Sequence, residues 1–190
     1  MFERRLWHYV DWPTIVALVL LSAIGVAMIY STTHDGPNSG LYVRQLYAIA
    51  LGLVAMLACL SIDYRMLADY APVLYGLILL LLLAVLFIGV TGGGARRWIP
   101  LPLFALQPSE FAKVAVALLL AKYFDGLRGI PSMRDLAIAG LLTTVPFLLI
   151  AKEPDLGTAI TLVTILAGIA FVAGMRMKLI VVLLAATVLA

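Results

Sequence analysis

Apolar residues in this chain come in long runs, broken by short polar connections. Six runs are complete, over residues 12–31, 42–62, 70–90, 108–124, 136–151 and 156–175. A seventh opens near Leu179 and is still apolar at Ala190. At a rise of about 1.5 Å per residue, roughly 20 apolar residues cross the hydrocarbon of a bilayer about 30 Å thick. The pattern therefore predicts an all-α fold: a polytopic transmembrane helical bundle of about six complete spans plus the start of a seventh. The fifth run is the shortest of the six.

Orientation follows from where the basic residues fall, because cytoplasmic loops hold an excess of Lys and Arg. With the N-terminus inside, the cytoplasmic segments hold Arg4, Arg5, Arg65, Lys122, Arg128, Arg134, Arg176 and Lys178. The opposite side holds Arg44, Arg96, Arg97 and Lys152, with Lys113 just inside its run. The excess favours a cytoplasmic N-terminus and external connections at 32–41, 91–107 and 152–155. The first run is too long for the core of a cleaved signal peptide and lacks a small-x-small site after it, so it is expected to be retained. A span is not expected to stop at TVLA without a polar anchor. Residues 1–190 are accordingly read as the N-terminal portion of a single, longer transmembrane domain.

Composition agrees. Of 190 residues, 64% are hydrophobic and 12% charged, with mean hydropathy +1.12. Soluble domains are about 25% charged, which excludes that class. A net charge of +3 with scattered basic residues excludes a nucleic-acid surface. The single cysteine, Cys59, sits in an apolar run and reads as a small buried hydrophobe. His8 and His34 have no second histidine at ligand spacing. No phosphate-binding loop, dinucleotide fingerprint or nucleophile elbow is present. No metal ligands and no cofactor are identified from the pattern, although a divalent cation is compatible with it.

Three polar stretches remain. In GGGARRWIPLPLFALQ, Gly92–Gly94 permit an unusual backbone path and Pro100 and Pro102 hold an extended course. Arg96 and Arg97 stand there against the positive-inside trend. Either they snorkel to headgroups beside Trp98, or they bind a diphosphate or carboxylate at the outer leaflet. In QPSEFAK, Pro108 suits the first helical position and Glu110 can reach free backbone N–H groups at the helix start. Lys113 has no such account. A cation there opposes the helix dipole, and the spacing of three sets it beside Glu110 on one face. Ionisable groups inside a span point to a bundle interior or wet cavity, so Glu110 and Lys113 are candidate cavity residues. In AKEPDLGTA, Lys152, Glu153 and Asp155 crowd a short turn. Asp155 is either the N-cap of the next helix or a member of the same external cavity.

GGGARRWIP, QPSEFAK and PDLGTA, in this order and at these distances, closely resemble the SEDS family of bacterial cell-wall proteins. DWPTIVALVLLSAIGVAMIYS and SIDYRMLADYAPVLYG resemble it too, so the likeness covers essentially the whole chain. It is nearer the elongation and rod-shape branch than the division branch. The resemblance implies a multi-pass protein of the bacterial cytoplasmic membrane with about ten helices. Its implied activity is a peptidoglycan glycosyltransferase that polymerises lipid II on the outer face, working with a class B penicillin-binding protein, the transpeptidase partner. Carried onto matching positions, it places Glu110 and Lys113 in the central cavity, Asp155 near it, and Arg96 and Arg97 on the rim. The family's catalytic aspartate lies in a later external loop with no counterpart up to Ala190, so the catalytic residue is unknown here and residues 1–190 alone are expected to be inactive. Two other classes stay open: a transporter or flippase of the lipid-linked precursor, and a non-catalytic scaffold of the elongation machinery.

Overall fold

The structure is a computed structural model, and it describes residues 11–34, 40–92, 95–100, 105–127 and 129–181. Arg4, Arg5, His8, Arg128, Pro102, Gly93, Gly94 and most of the seventh apolar run lie outside the described residues. The chain divides into two units, residues 1–62 and 63–190.

The first unit holds α1 (Trp12–Thr33) and α2 (Leu41–Leu60). Asp11 caps α1 by accepting from the Thr14 amide and hydroxyl, and Pro13 falls in the first turn, where no N–H is needed. Tyr30 near the end of α1 meets Tyr42 at the start of α2 edge to face, with ring centroids 5.3 Å apart. The two helices therefore run as an antiparallel hairpin. Neither holds a fully buried residue; Ser22, Val26 and Ile29 of α1 and Tyr42 and Ile49 of α2 are half-buried, and most of the remaining apolar surface is exposed, as in helices solvated by lipid. This corrects the reading of Cys59, which is exposed: α2 has no buried face to receive it.

The second unit begins with a short helix, α3 (Tyr64–Asp69), capped by Asp63 through the Arg65 amide at 2.9 Å. Helix α4 (Ala71–Ile88) follows and ends at Gly89, where a Cβ would collide with the Val85 carbonyl. The absent side chain lets the backbone leave the helix sharply into an extended course. That course is β1 (Val90–Gly92), which pairs antiparallel with β2 (Ala95–Pro100), which in turn pairs with β3 (Ala105–Leu106). Partners are Thr91 with Arg96, Val90 with Trp98 and Ile99 with Leu106. The all-α expectation is thus corrected to mostly helical. Val, Thr, Trp and Ile at these positions favour a pleated backbone, and neighbouring segments satisfy one another's amides.

Three helices complete the unit: α5 (Pro108–Asp125), α6 (Met133–Lys152) and α7 (Leu156–Val172). Residues 177–181 are again helical. The core lies where α5 meets α4, α6 and α7. Ala112, Val116, Leu120 and Phe124 of α5 pack with Leu82, Leu136, Ala139, Ile150, Ala159, Leu162 and Leu166. Alanines at the crossing points let helix backbones approach, which matters because lipid leaves close packing to do what water-driven burial does elsewhere.

Helix α6 contains Pro146, which has no N–H for the carbonyl of Leu142 one turn earlier. The Tyr75 hydroxyl of α4 donates to that carbonyl at 2.7 Å. A neighbouring helix thus satisfies the group that the proline orphans.

Helices α1, α2, α4 and α6 are each long and apolar enough to cross a bilayer. Helix α5 is long enough but carries Glu110, Lys113 and Lys122, and α7 has 17 residues. Six runs are helical, as expected, and four of them meet both length and composition.

Candidate functional site

Polar residues of the second unit gather at its two ends. At one end Lys122 donates to the Asp69 carbonyl at 3.0 Å, and the Tyr123 hydroxyl donates to Asp135 at 3.3 Å. Ser132 and Asp135 form a capping box that starts α6. Every one of these groups has an ordinary structural occupation.

The other end is where β2, the start of α5 and the α6–α7 turn converge. Asp155 is its hub. As N-cap of α7 it accepts from the Thr158 amide at 3.2 Å and the Thr158 hydroxyl at 2.9 Å. The same carboxylate accepts from the Gln107 amide at 3.2 Å and pairs with Arg97 at 3.3 Å. Gln107 also donates to Ser109, which is fully buried in the first turn of α5. Three segments distant in sequence are thus tied through one acid. Burial pushes the Asp155 carboxyl up, but the Thr158 amide and hydroxyl and the Arg97 guanidinium together outweigh it and hold it below the usual carboxylate range.

Strand alternation separates the two arginines. Arg97 is partly buried and turned to Asp155, whereas Arg96 is exposed, with its aliphatic stem lying across Gly89. Among the described residues Arg96 has no ion pair. Arg97 keeps its Nε buried without a partner.

Glu110 and Lys113 form a two-oxygen ion pair, with Lys113 Nζ at 2.9 and 2.8 Å from the carboxylate oxygens. The spacing of three is realised. The carboxylate serves Lys113 rather than the helix-start amides, which replaces the capping account. The pair is on the uncovered side of α5, with Glu110 about half exposed, beside exposed Phe111 and Val114. Among the described residues, then, the candidates form two separate pairs, Arg97 with Asp155 and Glu110 with Lys113, and Arg96 joins neither.

Sequence reasoning passed over Glu153. It is 1% exposed, and neither carboxylate oxygen has a hydrogen-bond partner. Burial, with Asp155 adding to it and Arg97 opposing, pushes its carboxyl up to about 7. Only its position in a short, acid-rich turn between two apolar helices pointed to it. Gln107 and Ser109 were also missed as partners, because nothing local links them to Asp155. No group of three or more His, Cys, Asp or Glu suited to a metal ion occurs among the described residues.

Fold and site together define a multi-pass helical membrane protein with a charged cluster seated at one end of its core helices. Comparison with known proteins gives the family. The profile described as "Cell cycle protein" (FtsW, RodA, SpoVE) matches residues 8–190, and the chain belongs to that SEDS family. Its relatives include the peptidoglycan glycosyltransferase MrdB of Escherichia coli K12, 34% identical over 94% of this chain and 48% of the relative. Another is the peptidoglycan glycosyltransferase RodA of Treponema pallidum, 33% identical over 90% of this chain and 40% of the relative. Among solved structures, the rod-shape-determining protein RodA of Thermus thermophilus superimposes with a TM-score of 0.82 at 34% identity. That match covers 94% of this chain and 58% of RodA. A chain of a peptidoglycan synthase complex, from work on coordinated polymerisation and crosslinking, matches with a TM-score of 0.68 at 38% identity, over 83% of this chain and 47% of its own length. The chain spans about half the length of the curated relatives it matches.

Proposed function

We propose that this chain is the N-terminal part of the membrane domain of a peptidoglycan glycosyltransferase. The native protein polymerises lipid II on the outer face of the bacterial cytoplasmic membrane during elongation, with a class B penicillin-binding protein as its crosslinking partner. Helices α1, α2, α4, α5, α6 and α7 are its first six spans, with the N-terminus inside. The observation that carries the reading is the Arg97–Asp155–Gln107 cluster, which fixes β2 over the starts of α5 and α7 at the end assigned to the outside. Likeness to relatives named peptidoglycan glycosyltransferases supports the chemistry.

Glycosyl transfer needs a base for the acceptor hydroxyl and positive charge for the departing diphosphate. We assign the second task to this chain. Lys113, held by Glu110 on the uncovered side of α5, and exposed Arg96 are the cations we assign to the diphosphate. Arg97 is already committed to Asp155 and positions the rim. The base comes from the additional length over which the relatives extend.

The test is polymerisation of purified lipid II by the native full-length protein with its partner, read as glycan chains on a gel. Lys113→Ala should lower the rate about 100-fold, the order expected when a preorganised charge is removed from a transition state. Retention of the wild-type rate removes Lys113 from the mechanism. Movement of lipid II across vesicles without any polymer would overturn the transferase reading in favour of transport.

A further inference from the structure

Glu153 is the one described acid whose two oxygens are both buried and both without a donor. A buried carboxylate left bare is costly, and proteins resolve that cost by pairing the charge or by keeping the proton. Pairing fails here for a geometric reason. Arg97, the cation that acts on Glu153, makes its short contact with Asp155. Lys152, next in sequence, is exposed. From α5, Lys113 is bound to Glu110, and Gln107 and Ser109 are neutral. The oxygens are closed to solvent and have no donor, so keeping the proton is the remaining way to hold this acid here.

We propose that Glu153 is a proton-holding positioning residue: as a neutral acid it leaves Arg97 to Asp155, and on losing its proton it draws Arg97 away and loosens the tie among β2, α5 and α7. In that step the carboxyl O–H bond breaks, the proton passes to external water, and the new carboxylate competes with Asp155 for the guanidinium. The charged groups bearing on Glu153 are Arg97 from β2 and Asp155 from its own turn, the first favouring ionisation and the second opposing it. Arg97 itself keeps a buried Nε without a partner, so its guanidinium is not saturated by Asp155. External pH thereby becomes an input to the geometry of the outward-facing end. The proton site holds whether or not the native protein polymerises glycan.

Three measurements on the purified protein in detergent test it. Difference infrared spectroscopy across a pH titration should show a carboxylic-acid carbonyl band that disappears with a midpoint at about 7. The band should be absent in Glu153→Gln and present in Asp155→Asn. A raised folded-state pKa means that stability falls as pH rises between the ordinary value of 4.5 and about 7, then levels off. Melting temperature of the wild type should follow that course, while Glu153→Gln and Glu153→Leu stay flat through the same window. Finally, a double-mutant cycle on Arg97→Gln and Asp155→Asn should give a coupling that shrinks by roughly half or more between about pH 5.5 and about pH 8.5. A band midpoint near 4.5, or an unchanged melting profile in both Glu153 variants, overturns the proposal. A pH-independent coupling overturns the switch.

Discussion

Replacing Asp155 by alanine removes four contacts at once, from the Thr158 amide and hydroxyl, Gln107 and Arg97. Loss of an N-cap costs about 1 kcal/mol. Breaking a fully buried ion pair costs roughly 3–5 kcal/mol, because the surviving charge is stranded. Arg97 retains 27% of its side-chain exposure, so water recovers part of that, and about 2 kcal/mol is the better figure. Asp155→Ala should therefore destabilise the second unit by about 3 kcal/mol. Asp155→Asn keeps an oxygen for Thr158 and loses the charge, so it should cost about 2 kcal/mol. The assay is reversible unfolding in mixed micelles followed by circular dichroism near neutral pH, with Arg97→Gln and the double variant completing the cycle. Because the Asp155 carboxyl is held below its ordinary 3.8, its contribution is complete above that value and fades as pH falls through the lowered one. On the acid side, the wild type should accordingly lose its advantage over Asp155→Asn only in strong acid, whereas above about pH 7 the Glu153 proton governs it. An Asp155→Ala loss below about 0.5 kcal/mol, or equal losses for the two variants, would refute the view that this acid both caps α7 and anchors β2.

The tyrosine that serves α6 gives a sharper cycle. Tyr75→Phe should cost about 1–2 kcal/mol by stranding the Leu142 carbonyl, and much less once Pro146→Ala restores an amide for it; equal costs in both backgrounds would reject the pairing. Lys122→Met, which breaks an exposed contact to Asp69, should shift stability by less than about 0.5 kcal/mol in the same unfolding assay.

Much of this architecture is legible from apolar run length. The run at 12–31 became Trp12–Thr33, and that at 70–90 became Ala71–Ile88, because helices in lipid must satisfy every amide internally and so extend as far as the apolar stretch does. Proline at position 108 marked the start of α5 to the residue. The sheet was not legible. Its strands run two to six residues among glycines and prolines, and their pairing is settled by neighbours rather than by local pattern. For the same reason, two adjacent arginines looked equivalent until strand alternation turned Arg97 inward and Arg96 outward. Lys113 beside Glu110 followed from helical spacing alone. Glu153 escaped notice because burial of one acid among three charged residues on a turn depends on what packs over the turn.

The bond from Tyr75 to Leu142 also bears on how the protein is made. A helix with a proline at position 146 enters a bilayer with one carbonyl unanswered, a burden it carries until another segment provides a donor. That donor is on α4, which is synthesised before α6. The helix emerging later therefore finds its missing partner already resident in the membrane, and order of synthesis matches order of need.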